Sequence, residues 1–134
     1  MAVVDASVIV AAVINDNPFH EACRSWLDAL INLEQSFSAP SILLNEVAAP
    51  LSRGFAQQEF AKEIIQEFVL APYAKLVPVS IPLARRAAVI AADYKIRGCD
   101  AVYVALAEVL DEELITLDKQ QSDRAKSIIA VRQP

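Results

Sequence analysis

Glycine is nearly absent from this chain: among 134 residues only Gly54 and Gly98 occur. Phosphate-cradling P-loops and GxGxxG dinucleotide turns need clustered glycines, so neither can be built here. Histidine is scarcer still, with His20 alone. One imidazole excludes acid–base ribonuclease chemistry that uses two histidines. A Ser-His-Asp triad would rest on that same residue, and no GxSxG elbow is present. His20 sits in a polar patch at the start of a helix and reads as a surface residue. The two cysteines, Cys23 and Cys99, show no CxxC or other metal-ligand spacing and make no disulfide framework. They read as buried, reduced thiols. Apolar runs are cut by charge or proline well short of the roughly 18 residues a membrane span needs. The N-terminus lacks a basic region, and Asp5 interrupts the first apolar run, so no signal peptide is expected. These absences predict a cytoplasmic protein without membrane contact.

What remains is ample material for a core. Hydrophobic residues make up 55% and charged residues 22%, which suits one compact domain over residues 1–134. The net charge of −5 argues against a simple nucleic-acid-binding surface. Setting aside four acids singled out below leaves 13 of the 17, against 12 Lys and Arg. Divalent ions on those four would leave the rest of the surface nearly balanced, so binding would depend on local basic residues and metal.

Strand-like and helical stretches alternate along the chain. Residues 2–4 read as a short buried strand, and residues 7–14 as a first helix. Asn17 and Pro18 predict the start of a second helix with an apolar stripe from Phe19 to Leu30. Residues 36–39 form a second strand, and Pro40-Ser41 opens a helix that Pro50 kinks and Gly54 stops. Residues 57–70 are amphipathic, with Phe60, Ile64, Ile65 and Phe68 on one face. A third strand is expected at 76–79, then a helix from Pro82 to about Tyr94. Asp100 begins a helix that is apolar nearly all round and therefore interior. Residues 113–117 make a fourth strand ending at Asp118, followed by a short polar helix and a last strand at 127–131. This order predicts a three-layer α/β/α domain with a mostly parallel central sheet of about five strands.

In such sheets ligands bind outside the carboxyl ends of the strands. Asp5 and Asp118 stand at two of those ends. Asp100 opens the interior helix before the fourth strand, and Glu46 lies in the helix after the second. Singly, each has a plain structural role: Asp5, Asp100 and Asp118 as helix N-caps, Glu46 as a solvated helix residue. Together they are harder to explain, because Asp5 and Asp100 lie in almost uncharged sequence, no basic partners are evident nearby, and a buried unpaired carboxylate is very costly. Hard divalent cations would pair all four, and a carboxylate set without His or Cys suits Mg²⁺ or Mn²⁺. Such a site favours hydrolysis of a phosphate ester.

Four segments carry a resemblance: VVDASVIVA at the N-terminus, LNEVAAPLSR, GCDAVYVALA and LITLDKQQ. In this order and spacing the chain resembles a PIN domain, particularly the toxin nucleases of VapBC-type toxin–antitoxin operons, over its whole length. The resemblance implies a single acidic pocket in which Asp5, Glu46, Asp100 and Asp118 match the metal-binding, catalytic acids. Ser7 and Thr116 match supporting hydroxyls that hydrogen-bond the acids or a metal-bound water, and Asp123 is a further supporting candidate. It implies Mg²⁺- or Mn²⁺-dependent cleavage of RNA by activated water, a homodimer, and a cognate antitoxin contacted by residues 57–70 and the helix before them. Arg53, Lys95, Arg97 and Lys119 lie near the acids in sequence and are the candidates for guiding RNA. Two alternatives stand beside this. A haloacid-dehalogenase-type phosphatase also begins with a strand ending in Asp, but it requires a second Asp where Ser7 stands. A PIN-like fold kept as a catalytically inactive RNA- or protein-binding module is the other.

Overall fold

The computed structural model describes residues 1–55 and 57–134. Among these residues, five strands form one sheet in the order β3-β2-β1-β4-β5, and every pairing is parallel. In chain order the elements are β1 (Ala2–Val4), α1 (Ala6–Val13), α2 (His20–Asn32), β2 (Phe37–Pro40), α3 (Leu43–Phe55), α4 (Gln58–Leu70), β3 (Ala74–Val77), α5 (Ile81–Tyr94), α6 (Gly98–Leu110), β4 (Glu113–Ile115), α7 (Lys119–Ala125) and β5 (Val131–Arg132). The expected three-layer α/β/α architecture is therefore present.

The chain runs outward from β1 through β2 to β3, returns, and continues on the other side through β4 and β5. β1 and β4 are neighbours, paired Ala2 with Glu113, Val3 with Leu114 and Val4 with Ile115. The reversal of direction falls between them. Helix α1 packs on α2 and α3, and α3 on α4, whereas α5 and α6 pack on each other. The right-handed crossover rule puts these two groups on opposite faces of the sheet.

The core explains why the elements form. β1 is buried along its whole length, as a strand covered on both faces must be. α6 buries Ala101, Tyr103, Val104, Ala105, Leu106 and Ala107, the all-round apolar pattern of an interior helix. Phe37, Phe68, Tyr73 and Trp26 meet at centroid distances of 6.2 to 6.5 Å and tie α2, α4 and the β2–β3 edge together. α4 turns Ala61, Ile64 and Phe68 inward.

Several expected boundaries shift for identifiable reasons. Asn17 does not cap α2. Its Oδ1 accepts from the Phe19 N–H at 2.9 Å and shapes a turn, and the helix begins at His20. α3 carries Pro50 in its interior and runs past Gly54 to Phe55. β3 begins at Ala74, two residues earlier than expected, and the last strand is confined to Val131–Arg132. Ser80, not Pro82, starts α5, its hydroxyl accepting from the Leu83 N–H. Cys23 is buried, but Cys99 is exposed on the first turn of α6. His20 is half-buried, its Nδ1 lying 2.8 Å from the Ala11 carbonyl. Among the described residues, no helix is long and apolar enough to cross a membrane.

Candidate active site

β1 delivers Asp5 to the carboxyl end of the sheet, beside the point where β4 ends. The Asp5 N–H donates to the Ile115 carbonyl at 3.0 Å, which fixes the two strand ends together. Asp5 is 5% exposed and caps α1, its Oδ2 accepting from the Ser7 N–H at 3.0 Å. The residues after β4 bring in the next groups. Thr116 Oγ1 lies 3.3 Å from Asp5 Oδ2, and the Leu117 N–H donates to Ser7 Oγ at 3.1 Å. Asp118 caps α7, its Oδ1 accepting from the Gln121 N–H at 2.9 Å. Two of the three expected caps are thus real, and both also hold carboxylates at the strand ends.

Asp100 is not a cap. α6 begins two residues before it, at Gly98, so Asp100 occupies the first turn. There its carboxylate lies 3.5 Å from Arg97 Nε, and Arg97 Nη2 lies 3.2 Å from Asp118 Oδ2. The expectation that no basic partner stands nearby is therefore corrected: one guanidinium, 72% exposed, bridges two of the acids. Glu46 enters from the first turn of α3. Pro50, one turn on, has no N–H to offer the Glu46 carbonyl, so the helix is held more loosely at that point.

All four acids line one open cavity of about 420 Å³, together with Ser7, Val10, Ala49, Pro50, Arg53 and Arg97. It opens at the reversal of strand order, where open α/β sheets bind ligands. Of the basic candidates, Arg53 and Arg97 line this cavity. Lys119 is instead paired with Asp123 at 2.8 Å on the surface, and Lys95 ends α5 with a left-handed backbone, its carbonyl accepting from Arg124. Asp123 is half-exposed, held by Lys119 and Lys126, and is not brought to the cavity.

Crowding like charges into a partly desolvated space raises the affinity for protons. Asp100 is pushed up to about 6, first by burial and then by the Asp5 charge, with Arg97 opposing. Burial also raises Glu46, while the nearby Tyr103 hydroxyl opposes and the Asp5 charge adds. The cluster is therefore under-neutralised at neutral pH, and Arg97 compensates only part of it.

Two residues of the site went unnoticed in the sequence. Tyr103 is fully buried on α6, one turn after Asp100, with its hydroxyl close to the Glu46 carboxylate. Burial and then the charges of Glu46 and Asp5 push that phenol far above its ordinary range. Its i, i+3 spacing from Asp100 on an otherwise apolar helix was an available signal. Gln121 is 2% exposed, and its amide joins Thr116 to the Asp100 carbonyl. An Asp followed three residues later by an uncharged amide suggested only a cap.

The donor set suits a hard divalent cation. The cavity lining offers carboxylate and hydroxyl oxygens and includes no imidazole or thiolate. Among the described residues, no three acidic, His or Cys side chains stand as a finished cage for one ion. Asp5 and Asp118 are engaged as helix caps, and Asp100 and Asp118 with Arg97.

A PIN domain family model matches residues 2–127, and the chain belongs to that family. The haloacid-dehalogenase alternative falls with this assignment. Solved structures agree on the fold. A toxin–antitoxin complex from Klebsiella pneumoniae superposes with a TM-score of 0.72 at 18% identity, covering 100% of this chain and 98% of that one. FitAcB from Neisseria gonorrhoeae gives 0.72 at 24% identity, over 100% and 98%. VapBC2 from Rickettsia felis, bound to a promoter DNA fragment, gives 0.72 at 15% identity, over 99% and 98%. No curated protein matches the sequence.

Proposed function

We propose that this chain is a metal-dependent endoribonuclease, the toxin of a toxin–antitoxin pair, acting as one domain over residues 1–134. The observation that carries this reading is the convergence of Asp5, Glu46, Asp100 and Asp118, from four separate elements, on one cavity at the β1/β4 ends. Asp5, Glu46, Asp100 and Asp118 would hold Mg²⁺ or Mn²⁺, which when bound polarises phosphate oxygens and lowers the pKa of water. The chain's own groups do the rest. Arg53 and Arg97 give the cavity wall the positive charge that a phosphodiester needs on approach. The Ser7 hydroxyl and Thr116 tie the ends of β1 and β4 together, and the Ser7 N–H holds the Asp5 carboxylate.

The toxin reading draws on the solved toxin–antitoxin complexes that share this fold. A cognate antitoxin would use the groove between α1, α3 and α4, lined by Val13, Ile14, Leu51 and Phe60. A homodimer would cover exposed apolar side chains of α5 and α6, namely Ile81, Val89 and Val109.

The test is cleavage of a mixed panel of labelled RNAs in Mg²⁺, Mn²⁺ or EDTA, beside Asp100→Asn. Cleavage that needs metal and disappears in the variant is the expected result. Cleavage that persists equally in the variant refutes the site. Absence of both cleavage and divalent binding refutes the enzyme and leaves a binding module.

A further inference from the structure

The hydroxyl of Thr116 has a single proton and three acceptors within reach, the farthest being Ser7 Oγ at 3.5 Å. Gln121 Oε1 lies at 2.7 Å and Asp5 Oδ2 at 3.3 Å. The amide of Gln121 decides between them. Its Nε2 lies 3.2 Å from the Asp100 carbonyl, which can only accept, so the amide nitrogen faces Asp100 and the amide oxygen faces Thr116. That oxygen must then receive the Thr116 proton. The Thr116 oxygen meanwhile accepts from the Asp118 N–H at 3.0 Å. Asp5 Oδ2 is left with the Ser7 N–H as its donor and with a lone pair of the Thr116 oxygen, not a proton, beside it.

We propose that Gln121 is a positioning residue that turns the Thr116 hydroxyl proton away from Asp5 and so keeps the Asp5 carboxylate free to bind the divalent cation. The inference rests on the metal-site reading above. A hydrogen bond donated to a carboxylate lone pair competes with a cation for the same electrons. Without the Gln121 amide oxygen, the acceptors left for the Thr116 proton are Ser7 Oγ at 3.5 Å and Asp5 Oδ2 at 3.3 Å, of which the Asp5 carboxylate is the nearer and the charged one. Gln121 also anchors the first turn of α6, which carries Asp100, to the start of α7, which Asp118 caps. Its burial at 2% keeps water from supplying a substitute acceptor. Nothing in this role requires Gln121 to touch the ion or the substrate.

The experiment is a double-mutant cycle read by Mn²⁺ affinity, with free Mn²⁺ followed by electron paramagnetic resonance and folding checked by circular dichroism. Gln121→Met removes both amide groups at similar volume and is expected to weaken Mn²⁺ binding by about tenfold, the lower end for groups that orient metal-binding side chains. In a Thr116→Val background no hydroxyl remains to be redirected, so the same substitution should change affinity less than about twofold. Equal weakening in both backgrounds overturns the proposal, because a merely structural Gln121 acts whether or not the hydroxyl is there. Gln121→Met without effect in the wild-type background also overturns it. Should the methionine variant fail to fold, Gln121→Glu keeps an acceptor for the Thr116 proton and is expected to hold Mn²⁺ within about threefold of the parent; weakening of about tenfold there is a refutation. A parent protein that binds no Mn²⁺ refutes the metal site itself, and the inference with it.

Discussion

The two ends of the sheet each carry an acidic cavity, and the acids in them are treated very differently. At the amino ends of the strands, about 450 Å³ is lined by Glu108, Asp111, Glu112, Glu113 and Lys126. Three of those acids come from one continuous stretch of chain. Glu108 is gripped by Arg86 through bonds of 2.6 and 2.7 Å, and Glu113 by Arg132 at 3.0 Å. Arg86 holds the Glu108 carboxyl below its usual range. At the carboxyl ends the acids come from four elements, Asp100 is raised to about 6, Glu46 is raised as well, and one exposed guanidinium is shared between two of them. A count of acids would not separate the two cavities. What separates them is that burial and neighbouring carboxylates raise Asp100 and Glu46 at the carboxyl end, whereas Glu108 and Glu113 at the amino end each have an arginine of their own. Carboxylates raised in this way cluster at functional sites, and the proposed cation site rests on them.

The largest contrast should appear in catalysis. Asp100→Asn should lower metal-dependent RNA cleavage by roughly 100-fold or more, about 2.7 kcal/mol of barrier, whereas Asp111→Asn at the other end should leave it within about twofold. Initial rates on one RNA under identical metal concentrations measure both. Comparable losses in the two variants would erase the distinction between the cavities.

Stability against pH should show opposite signs at the two ends. Asp100 has a folded pKa of about 6 against an ordinary 3.8. The native protein therefore binds more protons than the unfolded chain between those values, and the metal-free protein should lose stability as pH rises from about 4 to about 6. Asp100→Asn should flatten that fall, and so should Mn²⁺, which at 100 times its dissociation constant adds about 2.7 kcal/mol. Glu108 runs the other way. Its folded pKa is depressed, so its contribution is present above the unfolded value and is lost as pH falls through the folded one. Urea midpoints in EDTA across this pH range, for wild type, Asp100→Asn and Glu108→Gln, resolve the two slopes. A single slope common to all three proteins would contradict the assignment.

These contrasts also show what could be read from the sequence alone. Asp5 and Asp118 were legible because a strand end followed by a helix is a local pattern, and both residues do cap helices. Asp100 was legible as an acid in apolar sequence, though α6 starts two residues before it. The pairing of Arg97 with Asp118 was not legible, because it depends on how closely the start of α6 approaches the end of β4, which no local pattern encodes. For the same reason, closeness in sequence did not reveal that Lys95, Lys119 and Asp123 lie outside the cavity lining. Lys119 and Asp123 are one helical turn apart and satisfy each other on the surface. The proton arrangement through Gln121 and Thr116 depends on distances of 2.7 and 3.2 Å, finer than any spacing rule.

The smallest expected effects concern the two arginines, and they sharpen the comparison most. Arg86→Ala removes a bidentate partner from a partly exposed carboxylate that links α5 to α6, and should lower the urea midpoint slightly without altering Mn²⁺ affinity. Arg97→Ala removes an exposed guanidinium from an under-neutralised cluster, so stability should move by no more than about 0.5 kcal/mol in either direction. Its effect should appear in ligand binding, with opposite signs for two ligands. Mn²⁺ no longer competes with a resident cation and should bind a few-fold more tightly. An RNA phosphate loses a positive partner and should bind more weakly, with a shallower dependence on salt. Calorimetry with Mn²⁺ and filter binding of RNA in calcium-containing buffer would measure the two separately. If Arg97→Ala weakened both ligands together, the guanidinium would be holding the acids in their working geometry, not standing in for the ion.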